Sequence, residues 1–180
     1  MPYMSTYPPP PASKREVNRA GKAIADGEES DENIQVVDQW RAAHGYVINT
    51  FQIFFKRRVE KFNASIEFAQ RLKRRSTVID KITRRHPDGR PLMSDVTSMQ
   101  DFAGCRLIFD TLEDLTQFRD YVHSSQSMEH VAHKLKHDRA KYDYISHPKA
   151  SGYRGIHDIY AHYPRAHRRG SDASNRGMGC

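Results

Sequence analysis

The feature that most constrains the fold is a change of hydrophobic period near residue 63. Upstream, Val47, Ile48, Phe51, Phe54, Phe55 and Val59 recur at three- and four-residue steps. That spacing lines one face of a helix, which turns once in about 3.6 residues. Downstream, SIEFAQRLK (65–73) puts Ile66, Phe68 and, less cleanly, Leu72 on alternate positions, the period of a half-buried strand. The chain therefore reads as helices first and a mixed helix-and-strand domain after.

The rest of the pattern agrees. Ser13-Lys-Arg-Glu16 fits a capping box opening a short basic helix to about Ala25. DGEESDEN (26–33) is an acidic break, and Asp31 or Ser30 caps the next helix, whose apolar face is Ile34, Val36, Val37, Trp40 and Ala43. A break at His44-Gly45 leads to a third helix over roughly 46–62, with its aromatics in the core. STVIDKITRRH (76–86) predicts a helix with Ser76 as N-cap, and HPDGRPLMSD (86–95) a loop. FAGCRLIF (102–109) is a strand, and TLEDLTQFRDYVHS (111–124) a helix capped by Thr111. MEHVAHKLKH (128–137) and IHDIYAHY (156–163) read as strands. The expected organisation is a disordered tail over 1–12, a helical segment over 13–63, an α+β (mixed α/β) domain over 64–163, and a disordered tail over 164–180.

Bulk properties narrow the partners. With 180 residues, 37% hydrophobic residues and a mean hydropathy of −0.82, the chain holds one modest core under a polar surface. A net charge of +7 and a pI near 9.5 favour anions: nucleotides, nucleic acid or acidic membrane surfaces. The two cysteines, Cys105 and Cys180, suggest no disulfide framework, which suits a reducing, cytoplasmic setting. No apolar run reaches the ~18 residues of a membrane span, and MPYMSTYPPPPAS lacks the apolar segment of a signal peptide.

Three constellations carry chemistry. The first is a basic run from strand into helix: Arg71, Lys73, Arg74, Arg75, Lys81, Arg84 and Arg85. Helix N-termini favour phosphate, so Arg71, Lys73 and Lys81 can converge on a polyphosphate; the same residues also read as a solvated face. The second is Asp101-Phe-Ala-Gly104-Cys-Arg106. A carboxylate at a strand edge can hold Mg²⁺ beside phosphates, and the glycine allows close backbone approach; a turn aspartate is the plainer reading. The third is KYDYISHPKASGYRGIH (141–157). There Tyr153 can stack on a base, an interaction of ~1–3 kcal/mol, with Lys149 on a phosphate and His157 as hydrogen-bond partner; an ordinary surface loop remains the alternative.

Taken in order, R-x-K…K, D-x-x-G-x-R and D-Y-I-x-x-P-K-x-x-G-Y-x-x-x-H resemble the synthetase domain of the RelA/SpoT family over about residues 13–163. The resemblance implies a nucleotidyltransferase-like mixed sheet flanked by helices. It implies transfer of the β,γ-pyrophosphate of ATP to the 3′-hydroxyl of GDP or GTP, giving ppGpp or pppGpp and AMP. By matching position, Arg71, Lys73 and Lys81 would hold the ATP phosphates, and Asp101 would be catalytic through Mg²⁺. Tyr153 would stack on the acceptor guanine, with Lys149 and His157 on the same nucleotide. The resemblance also implies a cytoplasmic bacterial protein.

Two departures bear on this. The usual G-Y-Q-S-x-H is here G-Y-R-G-I-H, with Arg154 and Gly155. The family continues into a strand reading roughly E-x-Q-x-R-T with a catalytic Glu, and nothing after Tyr163 matches it; the only later acid is Asp172. The expectation is a chain that ends early and is marginally stable and weakly active or inactive. Two rival functions follow: a toxin-type enzyme acting on the 3′ CCA end of tRNA, and a catalytically dead nucleotide-binding remnant.

Overall fold

The structure, a computed structural model, describes residues 13–62, 65–93, 95–124 and 133–162. The tails expected over 1–12 and 164–180, the start of the alternating run at 128–132 and Tyr163 lie outside these residues. The described chain is α+β, as expected, and divides into two units between Phe118 and Arg119.

The first unit opens with helix α1 (Lys14–Ala25), where the Ser13 hydroxyl accepts a hydrogen bond from the Glu16 amide. Ser30, rather than Asp31, caps α2 (Asp31–Val59) through the Asn33 amide. The break expected at His44-Gly45 does not occur: α2 runs unbroken for 29 residues. A single glycine costs a helix only about 1 kcal/mol, and His44 reinforces the turn there. Its Nδ1–H donates to the Trp40 carbonyl at 2.8 Å while its ring stacks on Phe102. Burial lowers the His44 pKa, which keeps the imidazole neutral.

Strands β1 (Ile66–Leu72) and β2 (Ala103–Phe109) pair antiparallel, Ile66 opposite Phe109 and Leu72 opposite Ala103. Residues directly opposite share a face. Phe68 packs on Phe55 and Gln70 bonds Gln52, so that face lies on α2. The opposite face carries Glu67, Ala69, Arg71, Gly104, Arg106 and Ile108, all exposed. Between the strands run α3 (Arg75–Thr83) and a 3₁₀ turn at Val96–Ser98. Ser76 is not the N-cap of α3; Arg74 holds that position without a side-chain cap bond. The helix starts there because Lys73 is still tied to the sheet by its amide to the Phe102 carbonyl, and Val78 and Ile82 must reach the core one turn later. That core joins Val17, Ile24, Val37, Trp40, Val78, Ile82, Val96 and Phe102. Each such side chain contributes roughly 1.5–3 kcal/mol when fully buried.

Helix α4 (Leu112–His123) is capped by Thr111, whose hydroxyl accepts from the Asp114 amide, and it spans the division between the units. In the second unit β3 (His133–Leu135) pairs antiparallel with β4 (Tyr160–His162). The described strands thus form two antiparallel pairs where a single mixed sheet was expected. The strand expected over 156–163 is also shorter, with Ile156 making only an isolated bridge to Asp143. Residues 157–159 leave the strand path because side chains claim them: the Ile159 amide donates to His137 Nε2, and Asp158 is bound by Arg119 and His123.

Candidate functional site

Each unit holds one cluster of the residues singled out in the sequence. In the first, Lys73 and Lys81 reach Asp101 from either side, with Nζ 2.8 Å from Oδ2 and 2.8 Å from Oδ1 respectively. The chain arranges this simply. Lys73 follows β1 directly, Lys81 lies on the last turns of α3, and Asp101 stands two residues before β2. Lys73 is buried, while the Asp101 carboxylate is half exposed. Burial pushes the Asp101 carboxyl up, but the hydrogen bonds and charges of Lys73 and Lys81 outweigh it and hold its pKa below the usual value.

Arg71 is not part of that triad. It lies opposite Gly104 on the exposed face of the β1–β2 pair, and Arg106 lies two residues from Gly104 on the same face. Neither arginine makes a side-chain hydrogen bond or ion pair among the described residues. A Cβ on Gly104 would meet nothing within 4 Å, so the backbone is bare at the register position opposite Arg71 and two residues from Arg106. Guanidinium planes stack on flat rings as well as pairing with phosphate. Sequence reasoning gave Arg106 no role; its two-residue spacing from Gly104 on a strand was the available signal. The first turn of α3 adds amides with no side-chain cap beside these cations.

In the second unit the residues of the sequence motif form a compact aromatic group. The Lys149 ammonium stands 4.1 Å from the centre of the Tyr144 ring and 5.6 Å from that of Tyr153, both within cation–π range. Tyr153 shares a 2.7 Å hydrogen bond with His157 Nε2. Tyr144 meets both of their rings edge-on, at 5.9 Å and 5.5 Å. The loop closes at its neck, where the Tyr144 amide bonds the Gly155 carbonyl and the His157 amide bonds the Tyr142 carbonyl. Gly152 turns it with φ +78°, a conformation that favours glycine. Gly155 leaves room for the Tyr153 hydroxyl, which would lie 3.0 Å from a Cβ placed there. Tyr153 remains 44% exposed, so the ring has surface to offer a ligand.

Sequence reasoning also missed Arg119, His123 and Asp158 at the base of this loop. The signals were the one acid inside a strand-like run, IHDIYAHY, and a basic pair four residues apart on one helix. Burial raises the Asp158 pKa, but hydrogen bonds from His123 and Arg119 more than offset it and bring it down to about 2. A carboxyl held below its ordinary value stabilises the fold above that value and loses the effect as pH falls through the lowered one. The stability difference between wild type and Asp158→Asn should therefore be fully present at about pH 4–5 and shrink toward zero near pH 2. Urea unfolding of both proteins across that range measures it; a difference that persists to pH 2 contradicts this account.

The profile of the region found in RelA and SpoT proteins matches residues 70–171, more than half of the chain. The chain belongs to the RelA/SpoT family. Both clusters fall within the matched region. RelA/SpoT proteins are generally nucleotide pyrophosphokinases that use a divalent metal, and the family implies ATP and guanosine nucleotides as substrates. A comparison with curated proteins finds no match. Among the described residues no three His, Cys, Asp or Glu side chains gather as a metal site, and no helix is long and apolar enough to cross a membrane. Asp101 alone suits a metal that arrives on a nucleotide's phosphates and keeps most of its waters, rather than a resident ion in an all-protein cage.

Proposed function

We propose that this RelA/SpoT protein transfers pyrophosphate from Mg²⁺-bound ATP to the 3′-hydroxyl of GDP or GTP. The observation that carries the reading is the Lys73–Asp101–Lys81 triad: two cations held on one carboxylate, one of them just before a helix N-terminus without a side-chain cap, in a unit that also exposes Arg71 and Arg106, both without a side-chain partner among the described residues. Such an array neutralises a triphosphate, and Asp101 supplies a hard oxygen to the metal that comes with it. Arg71 and Arg106 are suited to the purine ring or to further phosphate oxygens. Tyr153 stacks on the acceptor guanine, with Lys149 and His157 turned to the same nucleotide. In the reaction the 3′-oxygen attacks the β-phosphorus of ATP, the bond from that phosphorus to the α-phosphate oxygen breaks, AMP leaves, and the hydroxyl proton passes to a base. These residues mainly align the nucleotides and balance charge.

The test is a product assay with γ-labelled ATP and Mg²⁺, offering GDP, GTP or bulk tRNA in separate reactions. Label on a guanosine nucleotide supports the proposal, and label on tRNA replaces it with the toxin-type activity. Binding of both nucleotides without product makes the chain a nucleotide-binding protein. Tyr153→Ala should weaken guanosine-nucleotide binding by roughly 5- to 150-fold, the equivalent of losing one stacked base, while leaving ATP binding unchanged. Equal binding by wild type and variant, read by calorimetry, removes the stacking role.

A further inference from the structure

We infer that Arg119 is a positioning residue that clamps both ends of the aromatic loop, fixing the site before its ligand arrives. The inference rests on the reading of that loop as the acceptor-nucleotide site. The loop begins after Asp143 and ends before Asp158, and one guanidinium addresses both carboxylates. Arg119 Nε and Nη2 donate to Asp158 Oδ2 and Oδ1 at 3.1 and 2.7 Å, a two-pronged pairing that sets orientation as well as distance. Nη1 stands 3.8 Å from Asp143 Oδ2, and Nη2 also donates to the Arg139 carbonyl at 2.6 Å. All three side chains are more than four-fifths buried, so solvent screens the pairing little.

Both carboxylates act in turn on the loop. The other oxygen of Asp143 accepts from the amides of Ile145 and Ser146 at 3.1 and 3.0 Å, which shapes the turn just past Tyr144. Asp158 is the residue after His157, and its Oδ2 also lies 3.1 Å from His123 Nε2. Arg119 and His123 come from successive turns of α4, so one helix face sets where Asp158 can be. Tyr144 and His157, the residues next to the clamped acids on the loop side, carry the rings that meet Tyr153. Displacing either end by an ångström moves the stacking surface, and misplacements of that size cost on the order of 100-fold in well-aligned sites.

The experiment uses the full chain with Arg119→Lys, which keeps the charge but cannot form the two-pronged pairing. Asp143→Asn is the second variant, because it retains the acceptor oxygen for Ile145 and Ser146 and removes only the charge. GDP and a non-hydrolysable ATP analogue are titrated separately, and amide hydrogen exchange is followed at Tyr144 and His157. Arg119→Lys should bind GDP on the order of 10- to 100-fold more weakly, hold the ATP analogue as wild type does, and exchange faster at both amides. Asp143→Asn should move the same way by less. Unchanged GDP affinity in Arg119→Lys, or equal loss of both nucleotides, overturns the clamp. If the wild type binds no guanosine nucleotide, the functional reading fails; exchange then decides alone, and unaltered protection at both amides overturns the clamp.

Discussion

Asp101→Asn should lower pyrophosphate transfer by about 10²- to 10³-fold while leaving metal-free ATP binding intact or tighter. The substitution keeps shape and removes charge. Lys73 and Lys81 lose the carboxylate they share at 2.8 Å, and both become available to phosphate oxygens. What disappears is the one acidic oxygen pair in the first unit's cluster able to meet a hard divalent cation. The loss therefore belongs in kcat rather than in the apparent affinity for ATP. Steady-state rates of wild type and variant across a Mg²⁺ titration test this, and wild-type turnover by the variant at saturating Mg²⁺ would falsify the assignment. The lysines also lose a counter-charge that helps stability, at a cost of about 1–3 kcal/mol, so rates are compared at a temperature where both proteins are folded.

Gly21→Val should destabilise the chain by about 3 kcal/mol, the upper end for overpacking a core. Gly21 is buried on α1, and a Cβ built there would meet Val96 Cγ2 at 2.0 Å. Val96 is β-branched and stiff, so the contact cannot be relieved by swinging a side chain away. Either α1 lifts or the 3₁₀ turn at Val96–Ser98 shifts, and both line the core that holds Ile24 and Ile82. For a chain of this length the expected fall in melting temperature is roughly 6–12 °C. Thermal unfolding followed by circular dichroism measures it, and a melting point within 2 °C of wild type rejects the close-packing argument.

Much of the first unit was legible because its signals are local. Ser13, Ser30 and Thr111 cap helices in sequence patterns that need no knowledge of the fold, and the alternation in 65–73 and the compact run 102–109 gave both strands of the first sheet. What was not legible depends on distant partners. His44-Gly45 looks like a stop until Phe102, 58 residues later, supplies a ring for His44 to stack on. Gly21 resembles any helical glycine until Val96 is placed against it. At the site, strand ends and a helix bring Asp101, which the sequence held in a separate motif, onto the cluster of Lys73 and Lys81. Arg71 was assigned to the same cluster, yet strand register turns it to the exposed face beside Gly104 and Arg106. The base of the aromatic loop escaped notice because Arg119, Asp143 and Asp158 are spread over 40 residues and meet only through the fold.

The core of the first unit also reaches beyond the stretch that the family profile matches. The recognisable family region starts at residue 70, but its buried Val78, Ile82 and Phe102 rest on Val17, Ile24, Val37 and Trp40. Those upstream side chains come from α1 and from the 29-residue α2, a rod of about 43 Å. A fragment excised along the family boundary would keep every residue named here for chemistry and lose the wall they are built against. For this protein the stretch that the family profile matches and the physical module are different objects, and the module is the larger at its N-terminal end.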